Sequence, residues 1–198
     1  MQGRRRQPQP VYFLFYKPFG VLSQFTKEGK YKTLKDFGPF PPDVYVAGRL
    51  DAGSEGLLFL TNDGELKHKL THPRFNHPRT YLVQVEGNPT SDALERLRNG
   101  VDVLGRRTKP ADIRLLENEP SFPPRPVPVR FRKAIPTSWI EITLREGKNR
   151  QVRRMTAAVG FPTLRLVRTK IGTLSLEGLQ PGESRPVTQE EVKRLITR

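Results

Sequence analysis

Two short apolar runs, VYVA at Val44–Ala47 and LLFLT at Leu57–Thr61, bracket a segment rich in glycine, serine and charge. This strand–loop–strand pattern constrains the chain more than any other, because each run is too short for a helix and both are bounded by turn formers. The segment Gly48–Leu66, GRLDAGSEGLLFLTNDGEL, places one carboxylate, Asp51, in the loop, with Arg49 two residues before it. A carboxylate between two strands is held on a rigid platform, which is what a reactive group requires. An aspartate in a glycine-rich turn also serves simply to bond nearby backbone N–H groups. Residue chemistry alone leaves both readings open.

Charge narrows the partners. Among 198 residues, 35 Lys and Arg stand against 20 Asp and Glu, a formal charge of +15 and a pI near 10.5. Such an excess points to a polyanion, most simply nucleic acid. Between Arg145 and Lys170 fall Arg145, Lys148, Arg150, Arg153, Arg154, Arg165, Arg168 and Lys170, opposed only by Glu146, which reads as one basic face. The chain has no cysteine, so a disulfide framework, a thiolate metal site and a cysteine nucleophile are excluded. Its start, MQGRRRQPQP, is basic but runs into Gln and Pro instead of an apolar signal-peptide core. Residues 1–10 are expected to be a disordered basic arm, and the protein is expected in the cytoplasm.

The remaining pattern is mixed α and β. Val11–Tyr16 reads as a buried strand, Thr33–Phe37 as a helical turn, Glu65–Leu70 as the start of a short helix, and Tyr81–Val85 as an alternating strand. Ser91–Asn99 is a helix closed by Gly100, and Trp139–Leu144 is a strand. A helix follows from about Asn149 to Val159, stopped by Gly160, then strands at Thr163–Thr169 and Gly172–Leu176. Thr188 with Glu191 forms a capping box for a last helix. On the helix from Asn149, Val152, Met155 and Val159 share the core face, Arg150 and Arg154 point away, and Arg153 lies at the flank. Arg153 is therefore the expected internal partner for a carboxylate. Glu117–Pro136 is a loop with Pro120, Pro123, Pro124, Pro126 and Pro128 interleaved with Arg125, Arg130, Arg132 and Lys133, cations that favour an acidic partner.

Other chemistries fit poorly. His68 and His72 have helical zinc-ligand spacing, but Lys69 stands where a zinc peptidase carries its glutamate. Gly147-Lys148 lacks the flanking residues of a phosphate-binding loop, and Ser54 in AGSEG lacks those of a serine elbow.

GRLDAGSEGLLFLTNDGEL resembles the first motif of the pseudouridine synthases of the RsuA-like family. RTYLVQVEG at Arg79–Gly87 resembles the second, EGKNRQVRRM at Glu146–Met155 the third, and Leu164–Thr188 the closing strands. The likeness runs from about Val11 to the C-terminus. It implies an α+β fold, a mixed and largely antiparallel sheet flanked by helices with a central catalytic cleft, formed by residues 11–198 without the small S4-like domain of many relatives.

The resemblance also implies an isomerase that converts a uridine of ribosomal RNA, expected in the large subunit, to pseudouridine without metal or cofactor. Asp51 is its catalytic residue, Arg153 the cation that keeps it ionised, and Tyr81 the aromatic beside the target base. Arg49, Leu50, Lys148, Arg150 and Arg154 are the expected RNA contacts. Arg150 stands where other members carry His, so no imidazole role transfers. A monomer is expected. A noncatalytic RNA-binding or ribosome-assembly protein, and more remotely a nuclease, would use the same basic surface.

Overall fold

In a computed structural model, residues 9–130, 132 and 134–197 are described. The expected basic arm therefore lies almost wholly outside the described residues, as does Lys133.

The first strand, β1 (Tyr12–Lys17), is nearly all buried, as its run of large apolar side chains requires. A two-residue strand β2 (Tyr45–Val46) and β3 (Glu55–Thr61) flank the Asp51 loop. All seven β3 residues are buried, because both faces of this strand are covered. Helix α1 (Gly64–Thr71) begins at Asp63, whose carboxylate accepts from the Leu66 amide at 2.9 Å. Strand β4 (Arg79–Glu86) alternates buried and half-buried, so Arg79, Tyr81, Val83 and Val85 share the inner face. Helix α2 (Ser91–Asn99) is capped by Thr90 and ends at Gly100, whose φ of +88° suits glycine.

A hairpin, β5 (Asp102–Val103) and β6 (Arg106–Arg107), and strand β7 (Asp112–Leu115) follow; none has the alternation that betrays a strand. Beyond the proline-rich segment come β8 (Thr137–Leu144), α3 (Gln151–Ala158), β9 (Thr163–Ile171), β10 (Leu174–Ser175), β11 (Ser184–Pro186) and α4 (Gln189–Ile196). Helix α4 starts with the expected Thr188–Glu191 capping box. Helix α3 starts two residues later than expected, because Arg150 is not helical but left-handed, at φ 52°.

The principal sheet runs β11-β1-β3-β9-β4-β8-β7, with β10 beside β9 and β2 beside β3. Every pairing is antiparallel except β3–β9, where Glu55 aligns with Val167 and Gly56 with Arg168. The result is the mixed, largely antiparallel sheet that the family resemblance implies. Apolar clusters fill both faces: α1 and α4 pack with β1, β3 and β9, while α2 and α3 pack with β4 and β8. The parallel joint brings the Asp51 loop, which enters β3, beside the middle of the sheet and the third-motif turn.

Candidate active site

The Asp51 loop is immobilised through its own carbonyls. Gly48 O accepts from Arg168 Nη2 at 2.9 Å, Leu50 O from Ser23 Oγ at 2.7 Å, Ala52 O from Gly20 N at 2.8 Å, and Gly53 O from Arg153 Nη2 at 2.6 Å. Ser23 Oγ also accepts from the Leu50 amide at 3.0 Å. Beneath the loop, buried Lys17 donates to the carbonyls of Pro18, Val21 and Ala52 at 2.9, 2.7 and 3.3 Å. Burial pushes its ammonium down to about 7.

Fixed in this way, Asp51 presents a side chain that is 35% exposed to an open cavity of about 700 Å³. Tyr81, 9% exposed on β4, lines the same cavity, as do Arg49, Leu50, Lys148 and Arg150. Arg49 is exposed and donates to Gln24 Oε1 at 3.3 Å. Leu50 is half-buried between two apolar clusters. Lys148 Nζ sits 3.5 Å from Glu146, whose other oxygen accepts from Gln151 Nε2 at 2.6 Å and Lys109 N at 2.8 Å. These bonds stiffen the turn that carries Lys148 and Arg150.

The expected Arg153–Asp51 pairing is not made. Arg150 Nη1 lies 3.3 Å from Asp51 Oδ2, whereas Arg153 donates to the carbonyls of Gly53 and Thr163. The left-handed backbone at Arg150 takes this residue off the helix, so the face assigned by helical spacing does not apply to it. Arg153 is buried enough that its pKa is lowered, first by desolvation and then by Arg150, with Asp51 opposing. It braces the loop backbone next to Asp51. Arg154 donates to Asn149 Oδ1 at 3.0 Å and does not line the cavity.

The single basic face predicted for residues 145–170 is also corrected. Arg165 is buried and holds Glu55 with two bonds of 3.0 and 2.8 Å, and Arg168 is 1% exposed. Both sit on β9, a central strand whose faces are covered. Arg168 donates Nε to Leu57 O at 2.7 Å and Nη2 to Gly48 O, and no carboxylate pairs with it among the described residues. Burial lowers its pKa, and neighbouring Tyr81 works against that shift. Arg79, also buried, donates to Leu70 O at 2.7 Å. Both guanidiniums line the Asp51 cavity, and sequence reasoning gave neither an individual place there. The available signal was an arginine at an inward position of a predicted strand, as in RTYLVQV.

No grouping of His, Asp and Glu among the described residues is placed to hold a metal ion, and none of their helices is long and apolar enough to cross a membrane. Residues 11–158 match the family model described as RNA pseudouridylate synthase. The chain is 55% identical to ribosomal large subunit pseudouridine synthase E of Xanthomonas campestris, over 87% of this chain and 92% of that one. It is 40% identical to ribosomal large subunit pseudouridine synthase B of Bacillus subtilis, over 94% and 72%. Among solved structures, a crystal structure of a pseudouridylate synthase superposes with a TM-score of 0.80 at 31% identity, over 96% of this chain and 76% of that one.

Proposed function

Because the chain belongs to the RNA pseudouridylate synthase family, we propose that it isomerises a uridine of large-subunit ribosomal RNA, with Asp51 as the catalytic residue. The observation that carries this assignment is that Asp51 and Tyr81 line one cavity of about 700 Å³, ample for an extruded nucleoside. Similarity to a large-subunit enzyme at 55% identity supports the substrate class.

In the reaction the C1′–N1 bond breaks, the uracil turns, and a C1′–C5 bond forms; the C5 proton then leaves and N1 takes up a proton, which restores the neutral conjugated ring. Atoms balance without an oxidant or a hydrolytic water. Asp51 supplies the carboxylate, oriented by Arg150, while the fixed loop removes the cost of reorganising it. Tyr81 stacks on the base that is detached and turned, and Leu50 packs beside it. Arg49 and Lys148 at the rim grip the RNA around the extruded nucleotide. Arg153 acts as a positioning residue through the Gly53 carbonyl. Residues 11–198 act as one catalytic domain, a cytoplasmic monomer needing no cofactor; among the described residues the exposed large apolar side chains, Tyr31, Phe75, Leu104, Leu115, Val127 and Ile196, are far apart in sequence, which supports the monomer.

Replacing Asp51→Asn keeps the shape and one acceptor oxygen but removes the charge. Pseudouridine formation in an unmodified large-subunit rRNA transcript, mapped by carbodiimide, is expected to vanish while RNA affinity stays within about threefold, since phosphate contacts dominate binding. Retained activity would sink the assignment, and strand cleavage would indicate a nuclease.

A further inference from the structure

Beside the Asp51 loop lies a second open groove of about 680 Å³, which Gly53 lines and Tyr81 does not. Its walls are the proline-rich segment and the start of β9, and its lining includes Arg125, Arg130, Arg132, Arg150 and Arg153 against one carboxylate, Glu86. Arg150 and Gly53 border both this groove and the Asp51 cavity, so the two are adjacent.

We infer that this groove binds the phosphodiester backbone of the RNA strand flanking the target nucleotide, with Arg130 and Arg132 as its phosphate ligands; the inference rests on the proposed function and extends the substrate path beyond the catalytic cavity. Several observations support it. The five cations serve different ends, and they can be told apart by their partners. Arg125 has a side chain only 9% exposed, stacks 4.3 Å above Phe19 and lies 3.9 Å from Glu55. It anchors the segment. Arg153 is committed to carbonyls of the loop. Arg130 is exposed and without an ion pair among the described residues, and Arg132 is exposed with a 2.8 Å bond to Glu86. These two present their guanidiniums to solvent, and Pro126 and Pro128 restrict the backbone that links Arg130 to the Arg125 anchor. Preorganised cations facing an aqueous groove gain most from a polyanion, which releases its counterions on binding. Groove and cavity are both lined by arginine and meet at Arg150 and Gly53, so a strand in the groove can lead to a nucleotide extruded at the loop.

Removing the whole 125–133 stretch would uncover Glu55 and test stability instead. The test therefore compares wild type with R130A/R132A, and with R114A/R194A, which removes two surface cations that lie outside the groove and are ion-paired to Glu141 and Glu190. Binding to an unmodified large-subunit rRNA transcript is measured across a potassium chloride series, and pseudouridine formation is measured at saturating RNA. For the groove variant, the salt slope should become shallower by about 1.4, from about 0.7 per single-strand phosphate contact, with weaker binding and a saturated rate within about twofold of wild type. The control should keep the wild-type slope, and Glu86→Gln, which frees Arg132, should tighten binding. A groove variant indistinguishable from the control overturns the inference. If wild-type protein forms no pseudouridine, the isomerase reading fails instead, and the slope comparison still decides the groove.

Discussion

At the scale of single residues, two arginines three positions apart do different work. Arg150 touches the Asp51 carboxylate from a half-exposed position, so deleting it leaves little buried surface unsatisfied. Arg153 serves two backbone carbonyls in a partly buried setting, and its loss leaves acceptors without partners. Arg150→Ala should therefore reduce the rate of pseudouridine formation with the urea midpoint essentially unchanged, whereas Arg153→Ala should lower stability by about 1–3 kcal/mol as well as the rate. Equal stability of the two variants would contradict this division. Helical spacing placed Arg153 at the partly buried flank of the helix, where it meets carbonyls instead of the expected carboxylate, and could not anticipate that Arg150, one residue outside the helix, would be free to reach Asp51.

Among the elements, the joint between β3 and β9 is the most demanding. Gly56 has φ of +108°, and a Cβ there would collide with the backbone of Arg168 across the parallel pairing. Gly56→Ala is expected to cost about 3 kcal/mol, combining left-handed strain with overpacking, read as a shift of the denaturation midpoint; a loss below about 1 kcal/mol would mean the strands can separate cheaply. The strands and helices with strong local signals were legible. Strand β4 shows its alternation, α2 its Gly100 stop, and α4 its capping box. The hairpin β5–β6 and strands β7 and β11 were not, because they are short and mostly exposed and are held by partners instead of by their own composition.

For the molecule as a whole, the end of the chain closes the sheet against its beginning. Strand β11 pairs with β1, and Arg185 on β11 bonds Glu191 at the start of α4 at 2.8 and 3.3 Å. Those bonds, with the Thr188 amide, bring the Glu191 carboxyl down to about 2. The unfolded chain takes up this proton near the ordinary glutamate range, so the folded state gains stability above it and loses that gain as pH falls towards 2. Glu191→Gln should thus be less stable than wild type at pH 7, and the difference should close on acidification; a gap that persists to pH 2 would refute the coupling.

The sequence alone determined where Asp51 sits, between two strands, and where most helices stop, since caps, glycine turns and strand alternation act over a few residues. It also set the overall positive charge and hence an anionic partner. Only the tertiary structure decided which cation meets Asp51, that Arg165 and Arg168 are interior, and that the proline-rich segment forms one wall of a groove. The Arg150–Asp51 contact joins positions 99 apart and the Arg165–Glu55 pair positions 110 apart. Contacts at such separations depend on strand order and register, which one parallel pairing fixes here and which local patterns do not encode.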